Sequence, residues 1–374
     1  MTPLRVGLIG TGKMGSFHME SWERIPAARL VAVADPDEAA ARRHIGRRPI
    51  ESFRDHRRLL EQADVDAVCV CAPSEHHARL ALDAIAAGKH VLVEKPIATA
   101  LEDGLRMASA ARAAGVKLMV GHVERFNPAV GKLAELVAEG RVGRVFRAHA
   151  TRVGPLPQRI RDTGVAIDLA THDLDIMQFV LGRPITSIYA QGSRCLHPTQ
   201  EDMIACLLRF GEAGPWGLLD VNWLTPEKRR ELTVIGEGGM LSASYLTQDV
   251  WFTESSGAPT GWSELARIRG DAEGAAVRFA LGRVEPLQAE LEAFTRCVLE
   301  DTPEPVSAQD GCRALAAALA VRDSAAHSRP VVLLDASVPR RDVSAASPAS
   351  SSPSSSSPPP PSSPLPSAPV PVAA

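Results

Sequence analysis

Arg5-Val-Gly-Leu-Ile-Gly10-Thr-Gly-Lys-Met-Gly15 decides the fold of this chain. Arg5 to Gly10 is a short apolar run of strand character, and the residues after Gly15 read as a helix. Between them lies G-x-G-x-x-G at a strand-to-helix turn, where the pattern carries a mechanism. Gly10 permits the tight turn, Gly12 lets backbone approach a pyrophosphate, and Gly15 lets helix and strand pack closely. The helix start, with Thr11, Lys13 and Met14 beside the glycines, offers free N–H groups and a positive dipole end to phosphate. A second apolar strand, Leu30 to Asp35, ends in a carboxylate 20 residues after Gly15. A carboxylate there accepts from a ribose 2′-hydroxyl and repels a 2′-phosphate, which favours NAD over NADP.

The βα pattern continues outward. Strands are expected at Ala67–Ala72, His90–Glu94 and Lys117–Gly121, with a helix from Leu101 to Ala114. Short continuous apolar strands alternating with helices make a parallel sheet covered on both faces. Past Gly121 the pattern changes. A helix from Pro128 to Glu139 leads to runs that alternate apolar and polar residues: Ser187–Arg194, Met203–Phe210, Gly217–Trp223 and Glu231–Gly236. These read as antiparallel strands with one wet face. A helix from about Ala166 to Leu181 interrupts them, closed by Gly182. Helices at Pro286–Glu300 and Ala308–His327 follow, the last packing back on the first domain. The expected fold is α/β: an N-terminal Rossmann domain over 1–122 and a C-terminal α/β domain over 123–335 with a large, mostly antiparallel sheet. Beyond about Val343 the chain is Ser, Pro and Ala, too poor in apolar surface to offset chain entropy, so 344–374 reads as a disordered tail.

The 374 residues carry a formal net charge of −3 and no basic stripe, which argues against nucleic acid as a partner. No apolar run reaches the roughly 20 residues of a membrane span, and Met1-Thr-Pro-Leu-Arg5 runs directly into a strand with no signal-peptide pattern. The expectation is a cytoplasmic protein. The six cysteines form no C-x-x-C pair. Cys69 and Cys71 alternate along one strand face, where a disulfide is strained, so buried reduced thiols are expected. No thiol and imidazole spacing along the chain fits a zinc site, and no metal is expected.

Two stretches carry chemistry. Glu94-Lys95-Pro96 ends a strand of the parallel sheet, on the edge where open α/β sheets place their ligands. Asp168 and His172, four apart on one helix, share a face. Oxidising an alcohol needs a base for the hydroxyl proton while hydride leaves, and an imidazole suits that task near neutral pH. A carboxylate can fix the imidazole tautomer, and an ammonium can hold the substrate oxygen. Metal ligation by Asp168, His172 and Asp173 is a weaker alternative.

With these residues in hand, the chain resembles the Gfo/Idh/MocA oxidoreductases over 4 to about 335. The resemblance rests on Gly10-x-Gly-x-x-Gly15, Ala72-Pro73-Ser74 with His76-His77, Glu94-Lys95-Pro96, and Gly164-x-x-x-Asp168-x-x-x-His172-Asp173. It implies that Lys95, Asp168 and His172 surround the reacting carbon, with His172 as general acid/base and Lys95 positioning the hydroxyl. It implies that Pro73, Ser74, His77 and Glu94 line the nicotinamide side, and that the open sheet face makes dimers or tetramers.

A narrower resemblance, to the UDP-N-acetylglucosamine 3-dehydrogenase branch, rests on Val120-Gly-His-Val-Glu-Arg-Phe-Asn-Pro128, Arg152-Val-Gly-Pro155, Arg159-Ile-Arg-Asp162 and Asn222-Trp-Leu-Thr-Pro226. Arg152, Arg159 and Arg161 could then receive a diphosphate through bidentate contacts, or serve as internal or subunit ion pairs. The function expected is NAD-dependent oxidation of a sugar hydroxyl, at the 3-position of a UDP-N-acetylhexosamine. A dehydrogenase of a free polyol such as inositol, and a catalytically idle NAD-binding sensor, remain the alternatives.

Overall fold

A computed structural model describes residues 2–157, 163–255 and 273–333. The chain begins β1 (Leu4–Ile9), α1 (Lys13–Trp22), β2 (Ala28–Ala34), α2 (Glu38–Ile45), β3 (Glu51–Phe53), α3 (His56–Gln62) and β4 (Ala67–Val70). It continues α4 (His77–Ala86), β5 (His90–Glu94), α5 (Leu101–Ala114) and β6 (Leu118–Gly121). The six strands form one sheet in the order β3-β2-β1-β4-β5-β6, every pair parallel. The order reverses between β1 and β4, and the crevice at such a switch point is where these sheets bind dinucleotides. β4 and β6 are buried along their whole length, as strands covered by helices on both faces must be. One strand escaped the sequence reading. β3 has three residues, none fully buried, and no apolar run marks it.

A 3₁₀ turn (Val123–Phe126) and α6 (Pro128–Ala138) carry the chain to the second sheet. Asn127 caps α6 by accepting from the Ala129 N–H, and Pro128 sits at the first helical position, where its missing N–H costs nothing. Then come β7 (Val145–Pro155), α7 (Thr171–Leu181), β8 (Ser187–Ser193), β9 (Met203–Arg209), β10 (Trp216–Asn222) and β11 (Leu224–Gly236). β12 (Gly239–Ser244), β13 (Asp249–Ser255) and β14 (Glu273–Phe279) follow. The chain ends its described part with α8 (Pro286–Leu299), α9 (Ala308–His327) and β15 (Val331–Val332). Nine strands form the sheet β14-β13-β12-β11-β7-β10-β9-β8-β15. Only β7 and β10 pair in parallel; the other pairs are antiparallel. β9 buries Ile204, Cys206 and Leu208 and turns Met203 and Leu207 outward, the period-2 pattern of a sheet with one covered face.

α9 ties the two sheets together. A capping box between Ser307 and Asp310 starts it. Cys312 and Leu315 then belong to the core of the first sheet, and Ala317, Ala318 and Val321 to the core of the second. The helix expected over 166–181 is interrupted: Ala166–Ala170 is a π-helical turn and α7 begins only at Thr171. Gly182, at φ 59°, closes α7. Among the described residues no helix is long and apolar enough to cross a membrane. The Ser/Pro-rich stretch 344–374 lies outside the described residues.

Candidate active site

The glycine-rich turn sits at the carboxyl end of β1. Gly10 has φ 95°, and a Cβ there would lie 2.7 Å from the Ala72 backbone nitrogen. A Cβ on Gly15 would lie 2.1 Å from the Gly10 carbonyl oxygen. Both positions exclude side chains for reasons of the protein's own packing. Gly12 differs, since a Cβ there would meet nothing within 4 Å. The open space above Gly12, at an α1 N-terminus with no side-chain cap, fits a pyrophosphate on free N–H groups. Lys13 and Met14 are exposed beside it. Asp35 accepts from the Thr11 N–H (2.6 Å) and hydroxyl (2.8 Å) on one oxygen and from the Asp37 N–H (2.9 Å) on the other. A carboxylate has about four lone-pair sites, so capacity remains for a ribose hydroxyl.

Below this turn, Pro73 is exposed and Ser74 half-buried at the end of β4. His77 is buried, with ring nitrogens 2.8 Å from the Pro96 carbonyl and 2.9 Å from the Ala72 carbonyl. It lies between the ends of β4 and β5. Burial lowers its pKa, against the pull of the two carbonyls. Glu94 is also committed to the protein. Its carboxylate accepts from the His18 ring (2.7 Å) and the Lys95 N–H (3.1 Å).

Lys95 and Asp168 meet across the cleft between the sheets. The Lys95 ammonium donates to the Asp168 carbonyl at 2.9 Å and approaches its carboxylate at 3.3 Å. The contact is made at a π-helical turn, and such turns concentrate at functional sites. Glu201 helps to start the turn by accepting from the Ala166 N–H at 3.2 Å. His172 stands half-buried at the start of α7, its Nδ1 buried without a hydrogen-bond partner. Burial pushes its pKa well below the ordinary imidazole value, and the charges of Lys95, Arg152 and Arg230 push it further. His172 is therefore held neutral, the form that accepts a proton. The carboxylate expected to orient it, Asp168, pairs with Lys95 instead.

Arg152 corrects an expectation. It is 2% exposed, its guanidinium donating to Asp173 and, at 2.9 Å, to Glu124. An arginine so enclosed cannot reach out to a diphosphate; it is the internal ion-pair reading that fits. The same bond takes Asp173 out of any ligand set with Asp168 and His172. Arg159 and Arg161 lie outside the described residues. Asn222 is likewise internal, its side-chain oxygen accepting from Leu224 N, Thr225 N and the Thr225 hydroxyl.

Three groups near the site were not singled out from sequence. Glu124, from the 3₁₀ turn, accepts from both Arg152 and Arg230 (3.2 Å). Arg230, half-buried on β11, lies close enough to feel Asp168 and Asp173. Arg230 in turn lowers the pKa of the exposed Lys228 two residues before it, which marks a local excess of positive charge. No motif announces Arg230, because β11 runs longer than its apolar alternation; Glu124 stands inside the Val120–Pro128 stretch without a role of its own there. The third group is deeper. His18, Cys69 and Cys71, on α1, β4 and the turn after it, bring their ligand atoms within 4.8 Å of one another. Burial pushes the Cys69 thiol up, but the Cys71 hydrogen bond and the His18 imidazole outweigh it and bring it down to about 6. Sequence spacing hid this cluster, since His18 is 51 residues from Cys69.

Comparison with known proteins identifies both domains. Residues 4–122 match the model of the oxidoreductase family with NAD-binding Rossmann fold, and residues 130–242 match the GFO/IDH/MocA C-terminal domain. Myo-inositol 2-dehydrogenase of Thermotoga maritima is 28% identical over 88% of this chain and 98% of its own length. An uncharacterised oxidoreductase of Bacillus subtilis, YrbE, is 31% identical over 52% of this chain and 58% of its own length. The match thus spans little more than half of some curated relatives. The crystal structure of UDP-N-acetylglucosamine 3-dehydrogenase from Acidithiobacillus ferrooxidans superposes with a TM-score of 0.76 at 26% identity, covering 87% of this chain and 98% of that one. Two adjoining family domains, the glycine turn and the lysine–histidine cleft lead to one conclusion: this chain belongs to the Gfo/Idh/MocA family of NAD-dependent oxidoreductases.

Proposed function

We propose that this NAD-dependent oxidoreductase oxidises a secondary alcohol of a nucleotide-activated sugar, the 3-hydroxyl of a UDP-N-acetylhexosamine such as UDP-N-acetylglucosamine, to a ketone. The observation that carries the chemistry is the Lys95 ammonium, held by Asp168 across the cleft and close enough to a half-buried His172 for its charge to help lower that imidazole's pKa. His172 takes the hydroxyl proton as the C–H bond breaks. Lys95 donates a hydrogen bond to the same oxygen, and Asp168 holds the ammonium in place. Bound NAD supplies the hydride acceptor. The substrate loses two electrons and two hydrogens, one as hydride and one as the proton on His172, which passes it to solvent.

The nucleotide-sugar reading is supported by the surplus charge at Arg230 and Lys228, which suits a diphosphate, and by the likeness to the Acidithiobacillus enzyme. Arg159 and Arg161 are proposed as further phosphate contacts. The polyol reading has its own support in the full-length match to myo-inositol 2-dehydrogenase. A homo-oligomer in the cytoplasm is part of the proposal. The open face of the second sheet exposes Leu207 (44%), Trp216 (51%) and Trp251 (45%), side chains that a lone subunit leaves in water.

Initial rates of NADH formation with a panel of UDP-sugars and free polyols test the substrate class. The proposal expects turnover with UDP-N-acetylglucosamine or an epimer, and competitive inhibition by UDP. Turnover with myo-inositol, indifferent to UDP, replaces it with the polyol reading.

A further inference from the structure

The His18, Cys69 and Cys71 cluster lies under the glycine-rich turn, outside the catalytic cleft. Cys69 Sγ is 3.3 Å from His18 Nδ1 and 3.6 Å from Cys71 Sγ. All three residues are buried. The far ring nitrogen of His18 is 2.7 Å from the Glu94 carboxylate, which is the arrangement that fixes the tautomer of a metal-binding imidazole and raises its basicity. A tetrahedral zinc ion, with Zn–S about 2.3 Å and Zn–N about 2.0 Å, sets ligand edges of about 3.8 Å between sulfurs and about 3.5 Å between sulfur and nitrogen. The observed edges fall a few tenths of an ångström short of these, within the reach of small χ1 rotations.

A second observation points the same way. Glu290, on α8, is completely buried, and neither carboxylate oxygen has a hydrogen-bond partner. Its neighbours in charge are Glu94, His18 and Cys69, and α8 packs against α1. A buried carboxyl with no partner costs several kcal/mol unless a charge or donor answers it. Two thiols and two carboxyls here surround a single imidazole.

We propose that His18 Nδ1, Cys69 and Cys71 bind a thiophilic divalent cation, Zn²⁺, with the partnerless Glu290 carboxylate turning in as the fourth ligand. Binding replaces the two S–H bonds with metal–sulfur bonds and releases both protons to solvent, with no change of oxidation state. The role is structural. Cys71 precedes Ala72, against whose backbone Gly10 packs, so the ion would stiffen the floor of the pyrophosphate turn. The alternative is a thiol–imidazole hydrogen-bond chain beside a protonated Glu290.

Because the cluster is buried, the ion must enter during folding. The test is therefore the full-length protein expressed in zinc-depleted, cobalt-supplemented medium. The proposal expects about one cobalt per chain, with the intense visible d–d bands of a tetrahedral site and thiolate-to-cobalt charge transfer. Cys69→Ser and Cys71→Ser should each abolish the charge-transfer band, while Cys195→Ser, at the exposed cysteine, should leave it intact. Cobalt at background level, a weak six-coordinate spectrum, or bands that survive both substitutions overturns the proposal. Should those variants fail to fold, X-ray absorption of the wild-type protein decides. Two sulfurs at about 2.3 Å support the site, and a shell without sulfur overturns it.

Discussion

His172 shows what burial does to one side chain. Its environment lowers the pKa, so it stays neutral across the range in which a free imidazole titrates. In the oxidation direction the acid limb of kcat/KM should therefore lie below about pH 6.5. Lys95 opposes protonation of His172, so Lys95→Met removes a repulsive charge and should move the His172 titration upward, as read from its imidazole NMR signal. A downward or absent shift contradicts the geometry. His172→Asn removes the base and should lower kcat about 10²- to 10⁴-fold with NAD affinity unchanged. Arg152 and Arg230 make a contrasting pair. Arg152→Ala leaves Asp173 a buried charge without its partner and Glu124 with Arg230 alone, and a loss of about 3–5 kcal/mol in denaturant unfolding is expected. Arg230→Ala takes one of two partners from Glu124, which keeps Arg152, so it should cost less stability than Arg152→Ala and raise KM for a diphosphate sugar about 10- to 100-fold, the value of a lost charge-assisted contact. An Arg152 variant that folds normally and fails only in substrate binding would restore the phosphate role first expected of it.

At the scale of elements, the glycine turn was readable because each glycine answers a local constraint that sequence order alone reveals: strand, turn, helix. Its test is Gly12→Val. Gly12 faces open space, so the fold should survive, and NAD affinity should fall by on the order of tenfold or more. Equal loss of folding stability would mean that the protein, not the cofactor, needs that space. Other elements were less legible. β3 is too short to show periodicity. The π-helical turn leaves no mark in a hydrophobic pattern. Spacing of four predicted a shared helical face for Asp168 and His172, and Asp168 pairs with Lys95 of the first sheet instead. The ion pair that encloses Arg152 depends on Glu124 and Asp173, from a 3₁₀ turn and α7, and no local window contains all three. The cysteine–histidine cluster was missed for the same reason: it joins α1 to the end of β4, and only the parallel crossover brings them together.

For the whole molecule, two features matter. α9 belongs to both cores, so the sheet that carries the glycine turn and the domain that carries His172 are coupled through one helix. The outer face of the nine-stranded sheet carries a row in register: Tyr189, Leu207, Leu218, His149, Thr233, Ser242 and Trp251. Replacing Leu207 with Glu and Trp216 with Glu should convert a homo-oligomer to monomers in light scattering without unfolding the chain. A wild-type protein that is already monomeric would refute that interface.

The central claim is hydride transfer from a sugar carbon at the Lys95–His172 cleft. Its most direct measurement uses UDP-N-acetylglucosamine deuterated at C3, incubated with NAD and enzyme, with the nicotinamide read by NMR. Wild-type protein should place deuterium on C4 of the reduced nicotinamide, and His172→Asn should lose most of the label transfer. Reduced cofactor free of deuterium would place the chemistry at another carbon, and undiminished transfer by His172→Asn would contradict the site itself.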